Sequence, residues 1–170
     1  MKLVRALVAA LAAVLALAGC AQNPNNVAVV NGSVVTNAQA LDLATAVATY
    51  QGTPERATEL LTSAVGVLVQ LEVAQHVGAA AGITITDAER AATMESSDEM
   101  TKLLADPVLG PYLNRSADAS MIQQKLGTDA YLAAAAAVPV QLNPRFGTWD
   151  PEQQALSGDS GSISTPAVRS

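Results

Sequence analysis

The sequence predicts a mostly α-helical bundle with a small β element, in which an N-terminal hairpin pairs with a C-terminal strand. Three observations predict this class. First, β-branched runs at 27–30 and 34–36 flank Asn31-Gly32, a pair whose access to positive φ suits a two-residue hairpin turn. Second, the middle of the chain carries capped segments with helical apolar spacing. Third, residues 138–142 return to alternating, extended character, and we expect them to pair with residues 27–30.

Two helices are predicted in the first half of the chain. Thr36 and Gln39 form a capping box, which predicts a helix from there to about Tyr50. Its apolar positions are expected largely on one stripe: Leu41, Leu43, Ala44, Val47 and Ala48. A threonine cap followed by a proline predicts a longer helix over 54–81, ended by a glycine. Apolar residues surround the axis of this helix, so we expect it at the buried centre of the bundle.

Shorter helices are predicted in the second half. A capping box at Thr86 and Glu89 predicts a helix to about Leu104, whose scattered carboxylates are typical of a solvated face. Further helices are expected over 106–114, 116–126 and 128–137, with Ser116 and Thr128 as caps of the last two. The domain is expected to span residues 27–150. The Pro-, Ser-, Gly- and Gln-rich residues 151–170 are expected to form a disordered tail.

The N-terminal segment has the three parts of an export signal. Lys2 and Arg5 make a basic start, an uninterrupted apolar run of 13 residues follows at 6–18, and small residues stand at the cut. A transmembrane helix needs roughly 20 apolar residues, so the run is too short to span a bilayer. Residues 1–19 are therefore predicted to be a signal peptide that is removed.

Leu17-Ala18-Gly19-Cys20 resembles a bacterial lipobox, in which the cysteine thiol receives a diacylglycerol and cleavage then makes that cysteine the first residue. The alternative is an ordinary signal peptide followed by a chance cysteine. The resemblance implies a covalent diacylglycerol and an N-acyl lipid such as palmitate on Cys20, a tether over 20–26, and a lipoprotein anchored on the extracytoplasmic face of the cell membrane. Two acyl chains hold a protein stably at a membrane, whereas one holds it marginally.

Charge and cysteine usage limit the partners of the mature chain. Without Lys2 and Arg5, seven basic and fifteen acidic residues remain, which gives a net charge of −8. This sign disfavours nucleic acid as a partner and disfavours electrostatic binding to anionic lipid, so the acyl anchor is expected to supply membrane attachment. Because the only cysteine is expected to carry lipid, packing rather than disulfides must stabilise the domain.

No residue pattern in the sequence indicates catalysis, a metal site or a cofactor site. His76 is the only histidine, and we expect it to pair with Glu72 one helical turn earlier. Metal binding would need clustered ligands and phosphate binding a glycine-rich loop, and the sequence offers neither. We therefore expect no enzyme activity, no cofactor beyond the lipid on Cys20, no metal and no small-molecule substrate.

Three segments resemble SurA-like and PrsA-like extracytoplasmic foldases. Residues 27–36, VAVVNGSVVT, are similar to their opening V-A-x-V-N-G-x-x-I-T, and residues 81–89, AGITITDAE, to their helix-to-helix joint G-I-x-V-T-D-x-E. Residues 143–150, NPRFGTWD, look like the closing strand of versions from high-G+C Gram-positive bacteria. The resemblance implies a chaperone domain with the fold of the SurA N-terminal domain. Many members insert a parvulin-type prolyl isomerase domain, whereas residues 87–137 here are predicted helices, so a client-holding domain without isomerase activity is implied.

Two functions remain. The resemblance implies a membrane-anchored chaperone or holdase for unfolded or exported polypeptides, and the alternative is a non-catalytic adaptor that binds one specific envelope partner. A chaperone should offer a broad apolar groove and an adaptor a defined patch. The candidate client-binding residues are flexible or apolar side chains on the shorter helices: Met94, Met100, Leu104, Leu109, Tyr112, Leu113 and Met121. The methionines could instead belong to the core, and we expect Arg145, Phe146 and Trp149 to cover the bundle rather than to bind peptide.

Overall fold

The computed structural model describes residue 23 and residues 25–94 and 97–157, and it confirms a mostly helical chain with a small antiparallel sheet. The helices are α1 (Asn37–Tyr50), α2 (Leu61–Ala80), α3 (Asp87–Thr93), α4 (Asp98–Ala105), α5 (Leu109–Leu126) and α6 (Thr128–Ala136). The strands are β1 (Asn26–Val30), β2 (Ser33–Thr36), β3 (Val140–Leu142), β4 (Thr148–Asp150) and β5 (Ala155–Ser157). Single turns of 3₁₀ helix lie at Pro54–Arg56 and Pro144–Phe146. The predicted signal peptide, Cys20 and residues 158–170 lie outside the described residues.

The strands from the two ends of the domain pair as predicted. β1 is the central strand of a three-stranded antiparallel sheet in the order β2-β1-β3. Asn31 and Gly32 have φ angles of 45° and 90°, which is the two-residue hairpin turn that the sequence predicts between β1 and β2. Leu142 lies opposite Ala28 and Val140 opposite Val30. The sheet therefore joins the two ends of the helical segment into one domain.

The core is built around α2, as predicted. Val65, Val69 and Val73 are completely buried on this helix, which contacts α1, α5, α6 and β1. Val27 and Val30 on the sheet belong to the same apolar cluster. Burying a side chain of this kind contributes about 1.5–3 kcal/mol relative to leaving it exposed. The contacts that stabilise the fold are thus concentrated where α2 meets the sheet.

The closing segment covers the bundle, as predicted for its aromatic residues. Phe146 is buried in the core cluster and Trp149 packs against it. The Arg145 guanidinium lies 4.6 Å from the centroid of the Phe146 ring and donates a hydrogen bond to Asn37 Oδ1 at 2.8 Å. These contacts attach the end of the domain to the start of α1.

The long helix begins later than predicted. It starts at Leu61, because Pro54–Arg56 forms a 3₁₀ turn and further turns follow to residue 60. The Thr53 hydroxyl caps no helix, since it is buried without a hydrogen-bond partner among the described residues. Residues 54–56, 58 and 59 are exposed and offer no apolar face. Helices in proteins are stabilised mainly by packing of such a face, so this segment turns instead.

The helix predicted over 86–104 is two helices, α3 and α4. The predicted capping box is present, with the Glu89 amide donating to Thr86 Oγ1 at 3.2 Å. The backbone is extended at Met94, where ψ is 127°. Ser97 then caps α4 by accepting a hydrogen bond from the Met100 amide at 3.0 Å. A second hydroxyl cap within the predicted helix therefore begins a new one.

The helices predicted over 106–114 and 116–126 are one helix, α5. Ser116 lies inside this helix and is not a cap. Gly110, Met121 and Ile122 are buried along it, and a face that packs over its whole length favours a single helix over two short ones. α6 follows the prediction, except that its N-cap residue is Gly127 and Thr128 is its first residue.

The prediction of a disordered tail from residue 151 is wrong for residues 151–157. β4 and β5 form an antiparallel hairpin in which Trp149 lies opposite Leu156. Leu156 packs against the core cluster, 3.6 Å from the place where Gly66 of α2 would carry a Cβ atom. The Gln70 side-chain amide also donates to the Gln154 carbonyl at 2.6 Å. The hairpin is thus ordered by contacts with α2, which composition alone does not reveal.

Candidate functional site

A mostly apolar groove of about 650 Å³ opens between α1 and α4. Its walls are one face of α1 between Leu41 and Tyr50, the α4 residues Glu99, Lys102 and Leu103, and the segment 106–109. We call this cleft the α1–α4 groove. Its volume lies within the range of about 300–1,000 Å³ that is typical of ligand sites.

The wall contributed by α1 is the face that the core leaves free. Ala40, Ala44 and Ala48 are buried at intervals of four residues, so they set the side of α1 that faces the core. Leu41 stands roughly 100° away from Ala40 around the helix axis and is 44% exposed. The prediction that Leu41 shares one stripe with Leu43, Ala44 and Ala48 is therefore wrong for Leu41, since those three residues are buried. Leu41 lines the α1–α4 groove instead.

Polar contacts define both ends of the groove. At one end the Tyr50 hydroxyl donates a hydrogen bond to the Glu99 carboxylate, which links the end of α1 to the start of α4. At the other end Asp106 Oδ1 accepts from the amides of Val108 and Leu109, both at 2.8 Å. The carboxylate of Asp106 thereby caps the first turn of α5, as acidic side chains do at helix N-termini.

The charged residues of the groove are mainly acidic. The groove is lined by three carboxylates, those of Asp42, Glu99 and Asp106, and by one cation, Lys102. The hydrogen bond to Glu99 raises the pKa of Tyr50, so this phenol is neutral where the carboxylate is charged. With two unmatched negative charges, the groove favours a cationic occupant over an anionic one.

The predicted client-binding residues are divided between two clefts and the core. A smaller cleft of about 300 Å³ lies on another face of α4. It is lined by Met100 and Leu104 of α4, by Met94, and by Arg90 of α3. Of the predicted set, Leu109 lines the α1–α4 groove. The structure therefore brings three of the seven residues together, but in a cleft that is separate from the groove.

The other three predicted residues lie on α5. Met121 is buried, and its Sδ accepts a hydrogen bond from the Thr93 hydroxyl at 3.3 Å. For this methionine the structure favours a buried, structural role over client binding. Tyr112 and Leu113 are half-buried, and Tyr112 packs against the core cluster. Burial raises the pKa of Tyr112, and the nearby carboxylate of Asp42 acts in the same direction.

Two ion pairs hold α3 against α5. Arg90 binds both carboxylate oxygens of Asp118, with Nε to Oδ1 at 2.7 Å and Nη2 to Oδ2 at 3.0 Å. Lys125 Nζ lies 2.7 Å from Oε1 of Glu89. Together with the Thr86 cap, this ammonium lowers the pKa of Glu89 to about 2. The wall of the smaller cleft is thus fixed by charge-assisted hydrogen bonds.

The predicted pair of His76 with Glu72 is wrong. Glu72 instead binds Arg115 of α5 at 2.6 Å. His76 contacts the hairpin turn, with Nδ1 3.3 Å from the Asn31 side-chain nitrogen and Nε2 3.2 Å from Ser33 Oγ. An amide nitrogen can only donate, so the contact with Asn31 favours the tautomer in which Nδ1 accepts and Nε2 donates to Ser33. We assign His76 to fixing the hairpin on α2.

Sequence reasoning missed the groove residues Leu41, Tyr50 and Leu103. The position of Leu41 one residue away from the Ala40–Ala44–Ala48 series was the available signal, because it places this leucine off the centre of the core face. Among the described residues, no group of three histidine, cysteine or acidic side chains could hold a metal ion. Within the same part of the chain, no helix has both the length and the apolar character needed to cross a membrane.

Comparison with known proteins found no protein-family model, no curated protein and no solved structure that matches this chain.

Proposed function

We propose that this chain is a holdase that binds apolar segments of unfolded or exported polypeptides in the α1–α4 groove and carries out no proline isomerisation. We further propose that lipid on Cys20 anchors it at the extracytoplasmic face of the membrane. The observation that carries the proposal is the groove itself. It is open and mostly apolar, and two of its large side chains, Leu41 and Tyr50, are 44% and 53% exposed. Exposed apolar residues that share a cleft are typical of binding surfaces.

The energetics of such a groove suit weak and reversible holding. Fully burying one large apolar side chain contributes about 1.5–3 kcal/mol, and a micromolar dissociation constant needs about 8 kcal/mol. Several aliphatic side chains of a client must therefore bind together, and the entropy lost on association opposes them. Clients that offer few apolar residues would dissociate readily. Such ready release is required of a holdase.

We propose that isomerase activity is absent because the region in which an isomerase domain would stand is helical. The segment 87–136, where many members of the resembled foldase family carry an isomerase domain, is occupied by helices α3 to α6 in its described residues. The two function classes kept open by the sequence differ in the number of clients. A groove that binds many unfolded chains supports the holdase, and a groove that binds one folded partner supports the adaptor.

The test compares two leucines of similar exposure. Leu41→Gln removes an apolar side chain from the groove without adding charge, while Leu132→Gln makes the same change on α6, where the leucine is 39% exposed and lies outside the groove. Both variants should fold as well as wild type, because exposed positions usually tolerate substitution within about 0.5 kcal/mol. Light scattering of a diluted, denatured client should show suppression of aggregation by wild type and by Leu132→Gln. Leu41→Gln should hold clients about fivefold more weakly, since roughly 1 kcal/mol of apolar contact is lost.

Three outcomes would contradict the proposal. Equal suppression by Leu41→Gln and wild type would exclude the groove as the client site. Unchanged scattering across several clients, together with capture of one stoichiometric partner by crosslinking in cells, would replace the holdase by the adaptor. Acceleration of a proline-limited refolding reaction by the full chain would show an isomerase.

A further inference from the structure

We infer that the α1–α4 groove selects short extended segments in which aliphatic residues are flanked by lysine or arginine. This inference rests on the proposed function, because it names the class of polypeptide that the groove would hold. It is carried by two properties of the groove, its length and the sign of its charge.

The length of the groove limits its occupant to a few residues. Tyr50 and Glu99 meet at one end, while Leu41 and the segment 106–109 lie at the other. From Leu41 to Tyr50, α1 rises by about 13 Å at about 1.5 Å per residue. An extended chain covers this distance with about four residues at about 3.3 Å each. Residues that flank such a segment would therefore lie beside the charged ends of the groove.

Carboxylates lie at both ends of the α1–α4 groove. Glu99 is at the Tyr50 end, and Asp42 and Asp106 are at the other, with Lys102 as the only cation in the lining. Of these, Asp42 is exposed and has neither a hydrogen bond nor an ion pair within the described part of the chain. Its carboxylate is therefore available to a ligand.

Arg115, a cation on α5, is already paired with another carboxylate. Arg115 lies on the same helix as Tyr112, whose pKa responds to both Arg115 and Asp42. The Arg115 guanidinium is matched by Glu72 of α2 at 2.6 Å, in a pair that is mostly buried. The negative potential at the Asp42 end of the groove therefore remains, and it attracts a basic side chain that flanks the apolar segment.

The same charges disfavour two other occupants. A second copy of this acidic chain, which carries a net charge of −6 over the full sequence, would be repelled at the groove. An acidic or phosphorylated peptide would meet the same repulsion. A cationic, aliphatic polypeptide segment is the occupant that satisfies both the apolar walls and the carboxylates.

The experiment measures peptide affinity by fluorescence anisotropy, using the full chain in lipid nanodiscs so that no free detergent occupies the groove. Three peptides share one aliphatic centre and differ in their flanking residues, which are lysine, glutamine or glutamate. We expect the lysine peptide to bind about 1.5- to 5-fold more tightly than the glutamine peptide for each carboxylate it meets, and the glutamate peptide to bind most weakly. The advantage of lysine should vanish at about 1 M salt, while binding of the glutamine peptide persists.

Three variants assign the selectivity to the groove. Asp42→Asn should reduce the advantage of the lysine peptide over the glutamine peptide, and Lys102→Gln should increase that advantage. Glu152→Gln is the matched control, because it removes one exposed carboxylate from the turn between β4 and β5, outside the groove. It should change neither affinity.

The outcomes separate this inference from the proposed function. If the lysine and glutamine peptides bind equally, the charge selectivity is wrong while the holding of apolar segments stands. If no peptide binds, both are wrong. If Glu152→Gln reduces the lysine advantage as much as Asp42→Asn does, the effect belongs to the net charge of the chain and the inference is overturned.

Discussion

Three helical glycines allow the same change, glycine to alanine, to be compared in three surroundings. A Cβ atom at Gly110 would overlap the backbone carbonyl oxygen of Leu104, where α5 begins beside the end of α4. At Gly78, in α2, it would lie 2.7 Å from Cδ1 of Ile122. At Gly66, also in α2, the nearest side chain would be 3.6 Å away, which is an ordinary van der Waals contact.

The free energy of unfolding should rise for Gly66→Ala, change little for Gly78→Ala and fall for Gly110→Ala. Alanine is favoured over glycine by about 0.8–1.0 kcal/mol in a helix interior, and no contact opposes this gain at Gly66. At Gly78 the tip of Ile122 must rotate, at about 0.5–1.5 kcal/mol, which offsets the gain. At Gly110 the backbone of α4 must move, and overpacking of this kind costs about 1–3 kcal/mol. After the gain in helix propensity is subtracted, we expect a net loss of up to about 2 kcal/mol.

Urea unfolding of the purified full chain, followed by far-ultraviolet circular dichroism, measures all three variants against wild type. A change of about 1 kcal/mol corresponds to a shift of about 2–4 °C in Tm for a chain of this size. Wild-type stability in Gly110→Ala would refute the close contact of α4 with the start of α5. A loss of stability in Gly66→Ala would refute the free space beside that residue.

Three further predictions concern lipidation, pH and the chain ends. Cys20→Ser should abolish incorporation of a labelled fatty acid in cells, and equal labelling of variant and wild type would exclude the lipobox. The pKa of Glu89 lies at about 2 in the folded chain, below its ordinary value of 4.5, because Lys125 binds the carboxylate. Its stabilising contribution is therefore complete above pH 4.5 and is lost as the pH falls towards 2. In Glu89→Gln the urea midpoint should depend less on pH between these two values than it does in wild type. An unchanged pH dependence would contradict the pairing of Glu89 with Lys125. Removal of residues 138–170 takes away β3 and should unfold the domain cooperatively. Removal of residues 158–170 leaves every described strand in place and should hardly change Tm. A stable helical fragment without residues 138–170 would count against the closing role of β3.

The parts of the fold that the sequence predicts correctly are those decided by neighbouring residues. Asn31-Gly32 can adopt positive φ without help from the rest of the chain, and the Thr36–Gln39 capping box satisfies helix amides within one turn. Pairing of β1 with β3 was also predictable, because both segments are extended and stand on either side of the helices. Local chemistry and the overall topology agree at these positions.

The parts that the sequence predicts wrongly are decided by packing between distant elements. Residues 54–60 have a sound helix start signal, yet α2 begins only at Leu61, because residues 54–56, 58 and 59 stay exposed and provide no continuous packed face. Residues 151–157 have the composition of a disordered tail, yet Leu156 finds space beside Gly66 and orders a hairpin. Composition cannot reveal a complementary surface that lies about 90 residues earlier in the chain.

The candidate site was only partly predictable, for the same reason. Flexible apolar residues on the shorter helices were the natural candidates, and Leu109 does line the α1–α4 groove. The spacing of Ala40, Ala44 and Ala48 in the sequence hints that Leu41 lies off their face, but only the packing of these alanines shows that theirs is the core face. Met94, Met100 and Leu104 lie together, but they line the smaller cleft on another face of α4.

The position of the groove separates stability from binding. The buried valines of α2 and β1 stabilise the fold, whereas the groove uses the outer face of α1 and the helix α4, which packs on α5 and reaches α1 through Tyr50 and Glu99. Changes at exposed groove positions such as Leu41 should therefore alter peptide affinity without altering the unfolding free energy. Gly110→Ala displaces α4 and should alter both. A holdase whose binding wall is outside its core can vary its clients without losing its fold, and comparison of these two variants in both assays tests whether this chain is built in that way.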